Sequence, residues 1–111
     1  MRQSQLLKGV LEGCVLAIIG RKEIYGYELI QALQTAGFSS VVGGTIYPLL
    51  AKLEKNGDVT SHMRPSPDGP DRKYFQMTRQ GAQSLAIFQR DWDQLVKQVA
   101  AVLNKESDAY E

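Results

Sequence analysis

Residues 44–64, GTIYPLLAKLEKNGDVTSHMR, change their hydrophobic period half-way along. Up to Asn56 the apolar side chains Ile46, Leu49, Leu50 and Leu53 recur every three to four residues, which is one face of an α-helix. Asn56-Gly57 is a helix stop. Beyond Asp58, the residues Val59, Ser61 and Met63 alternate with Thr60, His62 and Arg64, a period of two that belongs to a strand. Pro48 constrains the helix further. A proline removes a backbone donor and its ring presses on the carbonyl four residues back, so it is tolerated in the first turn only. The helix is therefore expected to run from about Gly44 to Asn56, with Pro48 fixing its start.

Two more helices precede this segment. From Gln5 to Gly20, Leu7, Leu11, Cys14 and Ile18 follow one another at intervals of four, three and four, widened by Val10 and Val15. The second helix starts near Tyr25, carries Leu29, Ile30 and Leu33, and stops at Gly37. Phe38 to Gly44 is its connecting turn. Downstream, Pro65-Ser66-Pro67-Asp68-Gly69-Pro70 is dense with turn formers. It joins the first strand to a second, Arg72 to Met77, as a hairpin with about six residues in each strand. Thr78 is an N-cap for a last helix, Arg79 to about Asn104. There Leu85, Phe88, Trp92, Leu95, Val99 and Val102 alternate spacings of three and four, a heptad seam. Such a helix is roughly 39 Å long, so it overhangs the head and its seam needs a partner. The tail, Lys105 to Glu111, is polar and expected to fray. The expected fold is mainly α with a small β-hairpin. Residues 1–78 form a winged helix-turn-helix, and residues 79–111 form a C-terminal dimerisation helix and tail in the same compact unit.

Composition narrows the function. The chain has 111 residues, 43% hydrophobic and 23% charged, which is ordinary for one globular domain. One Cys forbids an internal disulfide, and one Cys with one His cannot build a usual zinc site. No apolar run approaches the ~18 residues of a membrane span, and the N-terminus lacks a small-residue cleavage site, so a cytoplasmic protein is expected. No Ser/His/Asp set, Gly-rich phosphate loop or paired carboxylates can be located, so neither an enzyme nor a cofactor is expected. The balance of 13 basic to 12 acidic residues is nearly neutral. It is also uneven. Lys52 to Arg79 holds six basic and four acidic residues, whereas Gln80 to the end holds three and five.

Five pieces of the sequence, in order, resemble the PadR-type transcriptional regulators, in their short form with a single C-terminal helix. They are Tyr25-Gly26-Tyr27-Glu28-Leu29, Gly44-Thr45-Ile46-Tyr47-Pro48-Leu49-Leu50, Leu53-Glu54-Lys55-Asn56-Gly57, Gly69-Pro70-Asp71-Arg72-Lys73-Tyr74-Phe75 and Met77-Thr78-Arg79-Gln80-Gly81. The resemblance runs from about Gln5 to Leu103. It departs at Asp58, where an apolar residue usually enters the first wing strand, and at Asp71, where a basic one is common. It implies a homodimeric repressor of a pseudo-palindromic operator in double-stranded DNA. The first and last helices would form the dimer interface, which puts Leu7, Cys14, Leu85, Leu95, Val99 and Val102 there. Some short members bind planar aromatic compounds at that interface, with a tryptophan where Trp92 stands. That implies a slot of Trp92, Phe88, Leu11 and Val15.

The residues support their own assignments beside the resemblance. In a winged helix-turn-helix the third helix enters the major groove and the wing meets the backbone beside it. Thr45, Tyr47 and Lys52 are its polar candidates, and the free N–H groups at its start favour phosphate. Tyr25 joins them, while Tyr27 is assigned to the core. Arg64, Arg72 and Lys73 flank the wing tip and would contact phosphate or the minor groove. The plainer alternatives are ordinary exposed hairpin charges, a Tyr47 that packs its ring, and a Trp92 that only fills a dimer core. Cys14 is expected to be a small buried hydrophobe, and His62 a solvent-facing residue without a partner. A winged-helix adaptor that holds a protein partner and leaves DNA alone is the alternative function.

Overall fold

Of the residues picked out by helical spacing in the second and third helices, Leu29, Leu33, Ile46, Leu50 and Leu53 are buried, and Ile30 and Leu49 are partly buried against them. The computed structural model describes residues 6–109, with side chains through residue 104. Three helices supply most of the core: α1 (Leu11–Arg21), α2 (Gly26–Thr35) and α3 (Gly43–Lys55). Val15, Leu16 and Ile19 of α1 close on them, and Val59 and Phe75 enter from the sheet. Both α2 and α3 end in the same way. Gly37 and Gly57 take positive φ, which lets Phe38 N–H reach Leu33 O (3.0 Å) and Asp58 N–H reach Leu53 O (2.9 Å).

Several boundaries differ from expectation. Residues 6–7 are helical, and a turn at residues 8–10, in which Val10 N–H donates to Leu7 O (2.9 Å), separates them from α1, which starts at Leu11. Gly9 weakens a helix at that point, and the expected start at Gln5 lies outside the described residues. Pro48 is not in the first turn of α3 but is its sixth residue. The carbonyl it leaves without a donor belongs to Gly44, an exposed residue with open space where a Cβ would stand.

The sheet has three strands rather than two, β1 (Ile24–Tyr25), β2 (Val59–Ser66) and β3 (Gly69–Met77), in the order β1-β3-β2. The pairs are antiparallel: Ile24 faces Phe75 and Tyr25 faces Tyr74. The wing strands also extend past the expected six residues, because the tip turn is only residues 67–68. Pro65 falls where the register shifts between Arg64 and Ser66 on edge strand β2. A bulge on an edge is where a residue without an N–H disturbs no ladder.

The last helix, α4 (Arg79–Ala109), runs five residues beyond its expected end at Asn104. The side chains of the predicted tail Lys105 to Glu111, and the placement of Tyr110 and Glu111, lie outside the described residues. Leu85 packs on the core and the Phe88 ring lies against Gly13, but from Gln89 through Asn104 every residue is exposed. The molecule is accordingly long, 63 × 28 × 20 Å.

One junction holds α4 to the head. Asp58 is the only buried charged residue among those described. Its carbonyl accepts from Thr78 N–H (3.0 Å), and its carboxylate accepts from Ser84 Oγ (2.8 Å) and Gln80 Nε2 (3.3 Å). Thr78 Oγ1 donates toward Gly57 O (2.7 Å) and caps the helix by accepting from Gly81 N–H (3.0 Å). The departure at Asp58 is therefore a built contact. Gly81 sits so close that a Cβ there would overlap the Asp58 carbonyl. In an open helix Gly→Ala stabilises by about 1 kcal/mol. Here Gly81→Ala is expected to have the opposite sign, lowering stability by about 1–3 kcal/mol. Urea unfolding followed by circular dichroism measures it.

Candidate nucleic-acid interface

Residues of α2, α3 and the wing meet on one side of the head. Tyr47 is 52% exposed, yet its ring lies over the starts of both helices. A Cβ at Gly26 would stand 2.5 Å from the ring's Cε1, and one at Gly43 3.1 Å from Cε2. Glycine at both places is what lets the tyrosine lie there. Tyr25 ends β1, so pairing with Tyr74 of β3 aims its ring at the wing. The Arg72 guanidinium stands 4.6 Å from the centroid of that ring. Tyr25 also meets the Tyr74 ring at 5.6 Å and the Tyr27 ring at 6.3 Å. Tyr27 itself is 56% exposed, which corrects its assignment to the core.

A shallow cleft of about 250 Å³ separates α3 from the wing, and Tyr25, Tyr47, Glu54, Arg72 and Lys73 line it. Four of the seven predicted DNA-contacting residues thus converge. Thr45 stands exposed at the first turn of α3 next to them. The other two are held differently. Lys52 Nζ pairs with Glu12 Oε2 of α1 (3.2 Å), and Arg64 pairs with Glu23 while lying 5.0 Å over the Tyr74 ring. His62 is not partnerless: its Nε2 is 3.2 Å from Glu23 and its ring stacks on Tyr74.

Glu54 organises the cleft floor. Its carboxylate accepts from Ser61 Oγ and lies 3.5 Å from Lys73 Nζ. The Ser61 hydrogen bond, and then the Lys73 charge, hold its carboxyl below the ordinary value, with partial burial opposing them. Arg72 differs from the other cations. Among the described residues it meets no carboxylate, and its charge rests on an aromatic face. The counter-ions Glu12, Glu23 and Glu54 were missed in the sequence, since only the tertiary fold brings them to Lys52, Arg64 and Lys73.

The residues expected at a dimer interface and slot divide in two. Leu95, Val99 and Val102 are 49, 49 and 65% exposed, and Trp92 is 43% exposed. Leu7 and Leu11 are buried, Val15 is fully enclosed in the head core, and Cys14 and Leu85 are partly buried against it. Burial pushes the Cys14 thiol up, as suits an inert packing residue. Among the described residues no helix is long and apolar enough to cross a membrane, and no His/Cys/Asp/Glu group could hold a metal.

Residues 15–87 match the model of the transcriptional regulator PadR-like family. The chain belongs to that family. This PadR-like protein is similar to a Streptococcus transcriptional regulator of known structure (59% identity, 88% of this chain and 96% of that one, TM-score 0.81). A PadR-like transcriptional regulator from Bacillus cereus is similar too (42% identity, 89% and 96% covered, TM-score 0.81). An uncharacterized protein of Lysinibacillus sphaericus is 29% identical over 94 residues, spanning 83% of this chain and 86% of its own. The PadR-like family is one of DNA-binding regulators of transcription, and these solved neighbours are regulators, not enzymes.

The Glu54 contacts set a pH dependence. A carboxyl depressed in the folded state contributes stability fully above its unfolded value of 4.5 and loses it as pH falls through the folded value. The stability gap between the parent and Glu54→Gln is expected to be constant well above 4.5 and to close as pH falls from 4.5 through the depressed folded value. Ser61→Ala should move the Glu54 titration, followed by NMR, upward toward 4.5.

Proposed function

We propose that this PadR-like protein is a cytoplasmic, homodimeric repressor whose α3 helices and wings occupy the two halves of a pseudo-palindromic operator. The observation that carries the reading is the exposed start of α3 lying beside Tyr25, Tyr47, Arg72 and Lys73. An N-terminus with free N–H groups, two tyrosine hydroxyls and two cations is a phosphate-binding edge around a groove-sized helix. Thr45 would enter with the helix. Arg64 and Lys52 would reach DNA by leaving Glu23 and Glu12 for phosphate. Dimerisation is supported by the seam of α4, where Leu95, Val99 and Val102 face water in a single chain. Leu7, Cys14 and Leu85 would back that interface from the head.

The repressor would be released by a planar aromatic ligand between the two long helices. Trp92 is exposed enough to stack on it, and Phe88 adjoins it one turn back. Leu11 and Val15 would support the slot from behind, since both are enclosed by the head.

Three measurements test these roles. Arg72→Ala should weaken operator binding by a similar factor on every sequence and reduce the slope of log K against log salt by about one. Unchanged affinity and slope would remove Arg72 from the backbone contacts. Val99→Glu should convert the dimer to monomer in sedimentation. Trp92, the only tryptophan, should be quenched by planar cationic or phenolic compounds in the parent and much less in that variant. A monomeric parent, or no quenching across a broad panel, would refute the interface or the slot respectively.

A further inference from the structure

The part of α3 that faces outward has an unusual chemistry for a reading helix. From Val42 to Ala51 the chain contains no Arg, Lys, Asn, Gln, Asp or Glu. Those are the side chains that recognise guanine, adenine or cytosine edges by directed hydrogen bonds. The residues exposed there are Val42 (55%), Gly44, Thr45, Tyr47, Pro48 and Ala51. The first charges on the helix come later, at Lys52, which is paired with Glu12, and Glu54, which is occupied by Ser61 and Lys73. Only two hydroxyls remain to hydrogen-bond, those of Thr45 and Tyr47. A hydroxyl both donates and accepts, so it separates bases weakly.

Val42, Thr45 and Pro48 are spaced three apart and form an apolar strip, with Gly44 leaving room for a groove wall to approach. Arg72 and Lys73 line the cleft on the neighbouring face of α3, beside Tyr47 and Ala51, where they would hold the phosphate backbone of a duplex whose groove meets the strip. In the major groove, one base carries an apolar group at its edge: thymine, with its 5-methyl. We infer that α3 selects its operator by packing Val42, the Thr45 methyl and Pro48 on thymine methyl groups, so that its half-sites are specified by thymine positions. This rests on the DNA-binding reading above.

The test starts from duplexes that the full-length protein enriches from a random pool, resynthesised with deoxyuridine at one thymine at a time. Deoxyuridine pairs as thymine does and lacks only the methyl. Each contacted methyl is expected to be worth about fourfold in affinity. Val42→Ala and Thr45→Ser, both at exposed positions, should lose affinity on the thymine duplex and lose little more on the matching uracil duplex. That coupling identifies the contact. Equal binding of fully uracil-substituted duplexes, or losses that multiply independently at every position, would overturn the methyl reading while leaving DNA binding intact. Failure to enrich any sequence would overturn both.

Discussion

The rest of the structure depends on the way Asp58 is held. It is the third residue past the end of α3, and each of its polar groups is used. The N–H closes the α3 terminus on Leu53, the carbonyl takes Thr78, and the carboxylate takes Ser84 and Gln80. Three elements therefore meet at one residue: α3 and the first wing strand, which flank it in sequence, and α4, which comes only after the whole wing. A charge buried without partners would be strongly unfavourable, and here the hydrogen bonds from α4 offset it. Gly57 supplies the left-handed backbone that aims Asp58 inward, and Gly81 removes the side chain that would push α4 away. Loss of this bracket would uncouple the wing from the long helix without touching either one's local sequence signals.

That explains what could be read in advance. The helix periods, the switch to period two after Asp58 and the heptad seam are local patterns, and each marks a real element. Thr78 was legible as a cap because capping needs only a hydroxyl at a helix start. β1 was not legible: two residues are too few to show a period, and Ile24-Tyr25 is a strand only because β3 lies beside it. Pro48 misled for a related reason. Its penalty depends on whether the carbonyl of Gly44 has space and water, which is a property of the surface. In the candidate interface, residue types were readable but orientations were not. Tyr27 belongs to a helix face that turns to solvent, and Lys52 turns to Glu12.

Electrostatics explains why near-neutral overall charge is compatible with a DNA-binding face. Lys52, Arg64 and Lys73 each carry a carboxylate counter-ion from elsewhere in the chain: Glu12 of α1, Glu23 of the link between α1 and β1, and Glu54 of α3. Exposed pairs of this kind are worth at most about 1 kcal/mol each. Phosphate must replace the carboxylate before such a cation contributes to DNA affinity, so the net gain at each is small. Arg72 has no such exchange to make among the described residues, and its aromatic support keeps the guanidinium extended. Non-specific attraction is thereby kept low, which leaves discrimination to the shape and apolar character of the start of α3.

The length of α4 can now be connected to that face. Its 31 residues rise about 46 Å, yet only the first part touches the head. The bracket at Asp58 ties the first turns of α4 to the end of α3 and the start of the wing. In the proposed dimer, a small rotation of one α4 seam against the other would swing both heads by an amount that grows with distance from the pivot. A ligand between the Trp92 rings could drive that swing only if it binds one seam geometry better than another. Stacking supplies such a preference, because two indoles must part by one aromatic thickness to admit a third ring. The same junction that fixes the fold is then what would carry the separation of the indoles to the spacing of the two reading helices.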